Sequence, residues 1–557
     1  MKKNQIIFSL YLFYFLFGQA EYNHPEFNWQ TFETDHFKIH FYDQTEMSAR
    51  EAASVAETIY GPITNFYNFT PKEKTHIILT DPDDYSNGAA YYYDNKIKIW
   101  ATPLDFELRG SHRWLQNVIT HEFAHIVSLQ KAMKAGSKVP GAYLQFMQYE
   151  KEKRPDVLYG FPNTLVSYPI PGTSIPPWLA EGAAQYMYEN ADWDTWDSHR
   201  DMILRDRVIF GKMMTFNEIN TFGKKGIGNE STYNTGFAFA NYIANRFTSE
   251  SLKNIFQNLS SPFEFSIENA MYNTLGIGGY ELYDEFTIEL KTRYDRLVEP
   301  IKLLPINGRI IRTEGTTNIH PKWSPDGKSF IYLSNKKSDY FGQTSLYLFN
   351  VETLEEKKIK SGVNSAATWH SNGNIIYYSK KSKYPNKSGS KFYDLYSYDI
   401  TTEKEERLTK DSRAFNPVFI KKDSTIAFIY TYDGGQNLGI YYPESNSYKK
   451  ITNFTERPMI SHLGYDEVAN ALHFDITFNH FREIYKYDLN DSTISHIKNN
   501  NLIDERNMAV STISGNQVYS HDKSGIFNLY MVDNQNDIEG YVSNVTGGAF
   551  MPDISKN

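Results

Sequence analysis

The chain has no cysteine among its 557 residues. That absence excludes disulfides, thiolate metal sites, a cysteine nucleophile and a lipid-modified N-terminal cysteine. An excess of basic residues is missing too. Lys and Arg number 57 against 66 Asp and Glu, for a net charge of −9. No basic surface is then available to track phosphates, and nucleic acid is not an expected partner. Beyond residue 20 no apolar run approaches the ~20 residues that a membrane-crossing helix needs. The mature chain is therefore expected to have no transmembrane helix. What the sequence does hold is aromatic side chains, 42 Tyr and 37 Phe, whose flat rings fill pleated β surfaces. With 40% hydrophobic and 22% charged residues, the composition is that of a folded, multidomain chain.

Lys2 and Lys3 precede an apolar stretch over 6–17, followed by Gly18, Gln19 and Ala20. A basic start, an apolar middle too short to span a bilayer, and small residues before Glu21 predict a signal peptide over 1–20. An uncleaved anchor is the alternative. The expected destination is the bacterial envelope: periplasm, outer membrane or cell surface.

Two patterns divide the rest. Residues 21–300 mix short strands (37–41, 75–80) with helical stretches (49–66, 114–129, 178–189, 233–247, 280–298), an α+β pattern. A linker is expected over 301–307, where Pro305 and then Gly308 punctuate the chain. From 308 to 557 the sequence repeats. Leu346-Tyr347-Leu348-Phe349-Asn350 is echoed at Leu395, Leu438, Ile484 and Leu529, a mean period of about 46 residues, as in four-stranded propeller blades. Asp326-Gly327 and Asn372-Gly373 sit where tight hairpins need a positive φ. An all-β propeller is expected. Residues 551–557 open like another blade and 309–313 read like a ring-closing last strand. Those two segments predict six blades, the last incomplete, in a chain that continues past residue 557.

The chemistry centres on His121-Glu122-Phe123-Ala124-His125. A spacing of four residues turns a helix by about 400°, so both imidazoles face one ion. Glu122 is placed to act as a general base rather than as a ligand. Val118, Ile119, Phe123, Ile126 and Val127 make the helix apolar, so the histidines sit on a buried element. A catalytic site of this kind needs a third protein ligand. Glu181 is the candidate, in Pro176-Pro177-Trp178-Leu179-Ala180-Glu181-Gly182-Ala183-Ala184. The prolines suit a helix start, and the small residues allow close approach of a second helix.

These motifs resemble the gluzincin metallopeptidases, particularly their peptidase MA-like group. The resemblance implies a zincin-like domain over 21–300, zinc held by His121, His125 and Glu181, and Glu122 as base. It also implies that 87–90 and the strand 96–100 form an edge for an extended peptide. Tyr233 falls where relatives carry an oxyanion-stabilising tyrosine. The sequence departs from the aminopeptidases in two ways. Their Gly-x-Met-Glu-Asn signature is absent, and 56 positions separate His125 from Glu181. Residues 131–175 are then expected as a lid over the cleft, carrying Tyr143, Phe146, Tyr149, Tyr159 and Phe161.

Trp323-Ser324-Pro325-Asp326-Gly327-Lys328 resembles the repeats of TolB-type β-propellers, over 308 to the C-terminus. The combined expectation is an exported zinc metallopeptidase acting on a peptide or protein, with a propeller for substrate or envelope-partner docking. The alternative is a non-catalytic envelope scaffold of TolB-like type.

Overall fold

The computed structural model describes residues 24–104, 108–109, 113–136, 139, 141–149, 151, 152, 155, 162–190, 198–223, 226–478, 481–497 and 503–556. The segment 1–20 read as a signal peptide lies outside them, as do Tyr159 and Phe161.

Alternation along the first strands builds a mixed sheet. Its members are β1 (Gln30–Glu33), β2 (Phe37–Phe41), β3 (Thr75–Thr80), β4 (Gly88–Tyr91) and β5 (Lys96–Trp100), in the order β1-β2-β3-β5-β4. β2, β3 and β5 are parallel, while β1 and β4 run antiparallel at the two edges. Phe37, Ile39, Ile77, Leu79, Ile97 and Ile99 face one side and are fully buried. They pack under α1 (Glu46–Tyr67) and α2 (Trp114–Lys131). The rest of this half is helical: α3 (Pro177–Asn190), α4 (Ser198–Ile209), α5 (Glu230–Arg246), α6 (Glu250–Leu259), α7 (Ile267–Leu275) and α8 (Gly279–Leu303). α8 runs past Pro300 into the segment expected to be linker. Pro300 lies within a turn of the helix end, and Val298 and Ile301 bury against Ile526 of the propeller. Packing outweighs the proline signal there.

Between α2 and α3 stands an antiparallel ribbon, β6 (Gly141–Tyr149) with β7 (Pro162–Pro171). Both of its faces are exposed, including Tyr143, Leu144, Phe146, Val166 and Tyr168.

The C-terminal half is a β-propeller. Six blades were expected, but the described residues form five four-stranded antiparallel sheets, over 318–361, 368–407, 414–450, 459–496 and 505–541. Among the described residues, the segment after them forms no strand. Even so, it copies the inner strands in one respect. Met551 has φ +53°, matching His320 (+53°), Asn416 (+46°) and Asn507 (+59°), which sit at the bulges of three inner strands. Asp553 then accepts the Trp323 N–H at 2.7 Å and pairs with Lys322 at 2.6 Å. Residues 309–313 are likewise irregular, with Arg312 bonded to Glu356 of the first blade.

The propeller seats one rim against the N-terminal half. Arg413 reaches between Asp81 and Asp84, 2.7 Å from the latter. Asp433 accepts the backbone N–H groups of Met47 and Ser48. The central channel holds a cavity of about 250 Å³ lined by Trp323, Trp369, Pro417, His462 and Asp553. Pro325, Ser371 and Lys421 also line it. They lie at turns between first and second strands, at the opposite rim from Asp433. Among the described residues, no helix is long and apolar enough to cross a membrane.

Candidate metal centre

α2 carries His121 and His125 one turn apart near its middle, on a helix that buries Ile119, Phe123, Ile126 and Val127 in the core. Its ring pair is edge-on, with centroids 4.6 Å apart. α3 supplies Glu181 from its first turns, and Pro177 pre-sets the start of that helix. The three donor atoms converge. Glu181 Oε2 lies 2.9 Å from His121 Nε2 and 3.3 Å from His125 Nε2, and the two nitrogens are 3.0 Å apart.

That triangle fits a metal ion. Ligand bonds of ~2.0–2.1 Å in a tetrahedron place donor atoms about 3.3 Å apart, near the separations found. Two imidazoles and one carboxylate form a donor set suited to zinc. The set is the one group of converging His and acidic ligands among the described residues. Burial pushes the Glu181 carboxyl up, but His125 and His121 outweigh that and hold it well below the usual range. His125 is driven the other way: burial pushes it down, and the carboxylates of Glu181 and Glu122 raise it above its ordinary value.

Glu122 is buried beside the triangle. Its carboxyl is raised by burial, against the pull of the two histidines and of a hydrogen bond from the Ala90 backbone. A carboxyl beside a metal site is placed to take a proton as a general base. The edge strand β4 passes directly over it. A methyl on Gly88 would lie 2.9 Å from Glu122 Oε1. The expected edge at 87–90 therefore borders the base, with β4 outermost in the sheet.

Tyr233, on the first turns of α5, has its ring centroid 6.1 Å from that of His121. Burial raises its hydroxyl pKa, and the Glu181 carboxylate adds to the rise. All five residues singled out in the sequence (His121, Glu122, His125, Glu181 and Tyr233) thus come together. Two neighbours were missed. Arg109 lies over the Tyr233 ring at 5.6 Å and bonds Glu230 at 2.8 and 3.0 Å. Tyr188 is pushed up to about 12 by burial, partly countered by Arg200 and Arg109. It follows Glu181 by seven residues, two helical turns, which was a readable signal. Arg109 stands in an aperiodic stretch and gave none.

No family model matches the chain, and no curated protein does. Among solved structures, the chain is similar to TolB from Acinetobacter baumannii, at 17% identity and a TM-score of 0.35, covering 42% of this chain and 57% of that one. It is similar to a putative TolB from Agrobacterium tumefaciens at 14% identity and a TM-score of 0.36, covering 43% and 87%. An oligogalacturonate lyase in complex with manganese is also similar, at 15% identity and a TM-score of 0.30, covering 42% and 66%.

Proposed function

We propose that this chain is an exported metal-dependent peptide hydrolase whose propeller docks substrate or an envelope partner. The observation that carries this reading is the convergence of His121, His125 and Glu181 with Glu122 buried alongside. Zinc is the ion best suited to that donor set, and when bound it supplies a Lewis acid for the scissile carbonyl and acidifies water. The chain's own residues do the rest. β4 offers its outer edge to an extended peptide, which pairs as one more strand. Glu122 accepts a proton from the attacking water and returns it to the departing amine nitrogen. The Tyr233 hydroxyl donates to the oxygen that gains charge.

A second reading is a non-catalytic envelope scaffold. It is favoured by the propeller itself, whose channel cavity opens on the rim away from the metal centre. A buried carboxylic acid beside the ligands has no part in that reading.

One experiment separates the two. Purified protein is assayed for bound metal by mass spectrometry and then incubated with a peptide library, with and without chelator. The hydrolase reading expects about one zinc per chain and cleavage that chelation abolishes. Zinc without cleavage of any peptide favours the scaffold, and no metal at all overturns the centre.

A further inference from the structure

The metal centre lies in the N-terminal half, yet the propeller reaches two of the segments that frame it. Both contacts come from one turn of the first blade, residues 339–341.

The first contact is with the chain leading into α5. Gly226 donates its N–H to the Asp339 carbonyl at 2.8 Å, and its own carbonyl accepts the Phe341 N–H at 2.8 Å. Gly226 and Tyr340 form a β-bridge. Two residues on, Gly228 has φ +58°, and a methyl there would lie 2.5 Å from the Tyr340 ring. The ring occupies the space a side chain would need, in a backbone conformation that already favours glycine. α5 begins at Glu230 and carries Tyr233 in its first turn.

The second contact is with the segment before α2. Leu108 is buried in a small apolar cluster with Ile203 and Phe341. The next residue is Arg109, which clamps the buried Glu230 and lies over the face of Tyr233. One turn of the propeller therefore touches both neighbours of Tyr233: the backbone that starts its helix and the segment carrying the guanidinium over its ring.

We infer that Tyr340 and Phe341 are positioning residues for Tyr233, so that the docked propeller completes the hydrolytic site. This rests on the hydrolase reading. The physical basis is preorganisation. The approach to α5 carries glycines at 223, 226 and 228, whose backbone freedom has to be removed by packing from outside the segment. A misplacement of ~1 Å at such a group costs up to 10²-fold in rate.

The test uses the full chain with Tyr340→Ala, Tyr340→Phe and Phe341→Leu. Tyr340 is 37% exposed, so its truncation leaves the core intact. Amide hydrogen exchange is followed by mass spectrometry over peptides covering 226–235 and 114–131, with zinc stoichiometry, kcat and KM measured alongside. In Tyr340→Ala, exchange over 226–235 should rise at least ~tenfold while 114–131 and bound zinc stay unchanged. kcat should fall at least ~tenfold, with KM held within about twofold. Tyr340→Phe, which keeps the ring over Gly228, should restore both readouts, and Phe341→Leu should fall between. Unchanged exchange in Tyr340→Ala overturns the inference, and so does faster exchange with an unaltered kcat. A wild type that cleaves nothing overturns the hydrolase reading instead, and the exchange rates then still decide whether the propeller orders this helix start.

Discussion

Gly182 and Gly236 are in backbone contact: a methyl on Gly182 would lie 2.2 Å from the Gly236 carbonyl oxygen. The close approach extends one turn along α3, since a methyl on Gly236 would lie 2.5 Å from the Trp178 carbonyl oxygen. α3 and α5 therefore cross with no side chain between them. The crossing brings Glu181, one residue before Gly182, toward Tyr233, three residues before Gly236.

Adding one methyl at this crossing should push the helices apart. Gly182→Ala is expected to cost ~1–3 kcal/mol of stability, the usual range for overpacking. Because Glu181 moves with its helix, zinc affinity should fall roughly 10–100-fold. Thermal melts and competition with a zinc chelator check both. Unchanged affinity would mean that the ligand geometry does not depend on the crossing.

The ligands and the base should separate on mutation. His121→Ala and Glu181→Ala are expected to lose zinc and cleavage together. Glu122→Gln should keep zinc and lose at least ~10²-fold in kcat, the lower range for a positioned acid–base group. Full zinc stoichiometry in Glu181→Ala would place the third ligand elsewhere.

The exposed ribbon invites a deletion. Its side chains touch solvent on both faces, so replacing residues 142–170 with a short Gly/Ser linker should leave the melting temperature and bound zinc within error. If the ribbon screens substrates, the same protein should cut a wider range of peptides. Loss of folding would show that the ribbon belongs to the core, against its exposure here.

The docking of the two halves should respond to pH. Burial raises the Asp84 carboxyl from an ordinary 3.8 to about 6, although Arg413 and the Tyr393 N–H pull it down. A carboxyl that holds its proton more tightly when folded contributes stability fully below its unfolded value and loses it as pH rises through the folded one. The melting temperature of the wild type relative to Asp84→Asn should therefore drop between pH 4 and pH 7. A constant difference across that range would show the carboxyl ionised throughout.

Much of this was readable in the chain. The spacing of His121 and His125 and the apolar residues around them marked a buried helix, because helical periodicity is a local property. Gly182, Ala183 and Ala184 marked a close crossing for the same reason. The 46-residue period marked the blades, since each blade repeats one hydrogen-bonded unit. What was not readable depends on distant pairs. Arg109 meets Glu230 across 121 positions, and no local pattern anticipates that. The number of blades failed for a related reason: residues 551–554 carry the inner-strand pattern, but a sheet needs neighbours that sequence similarity does not supply. The segment between the two ligand helices holds more apolar surface than a solvated loop needs, which suggests a lid. That it forms a ribbon with Tyr143, Phe146 and Tyr149 exposed is set by the pairing of β6 with β7.

The Asp553 anchor gives the propeller a mechanical consequence. Lys322 and Trp323 belong to the inner strand of the first blade, so the chain that leaves the fifth blade is tied back to the first by the Lys322–Asp553 ion pair and the Trp323 N–H bond. The 339–341 turn of that same blade holds the start of α5. Releasing the anchor would therefore be felt at Tyr233 before it is felt at Asp84.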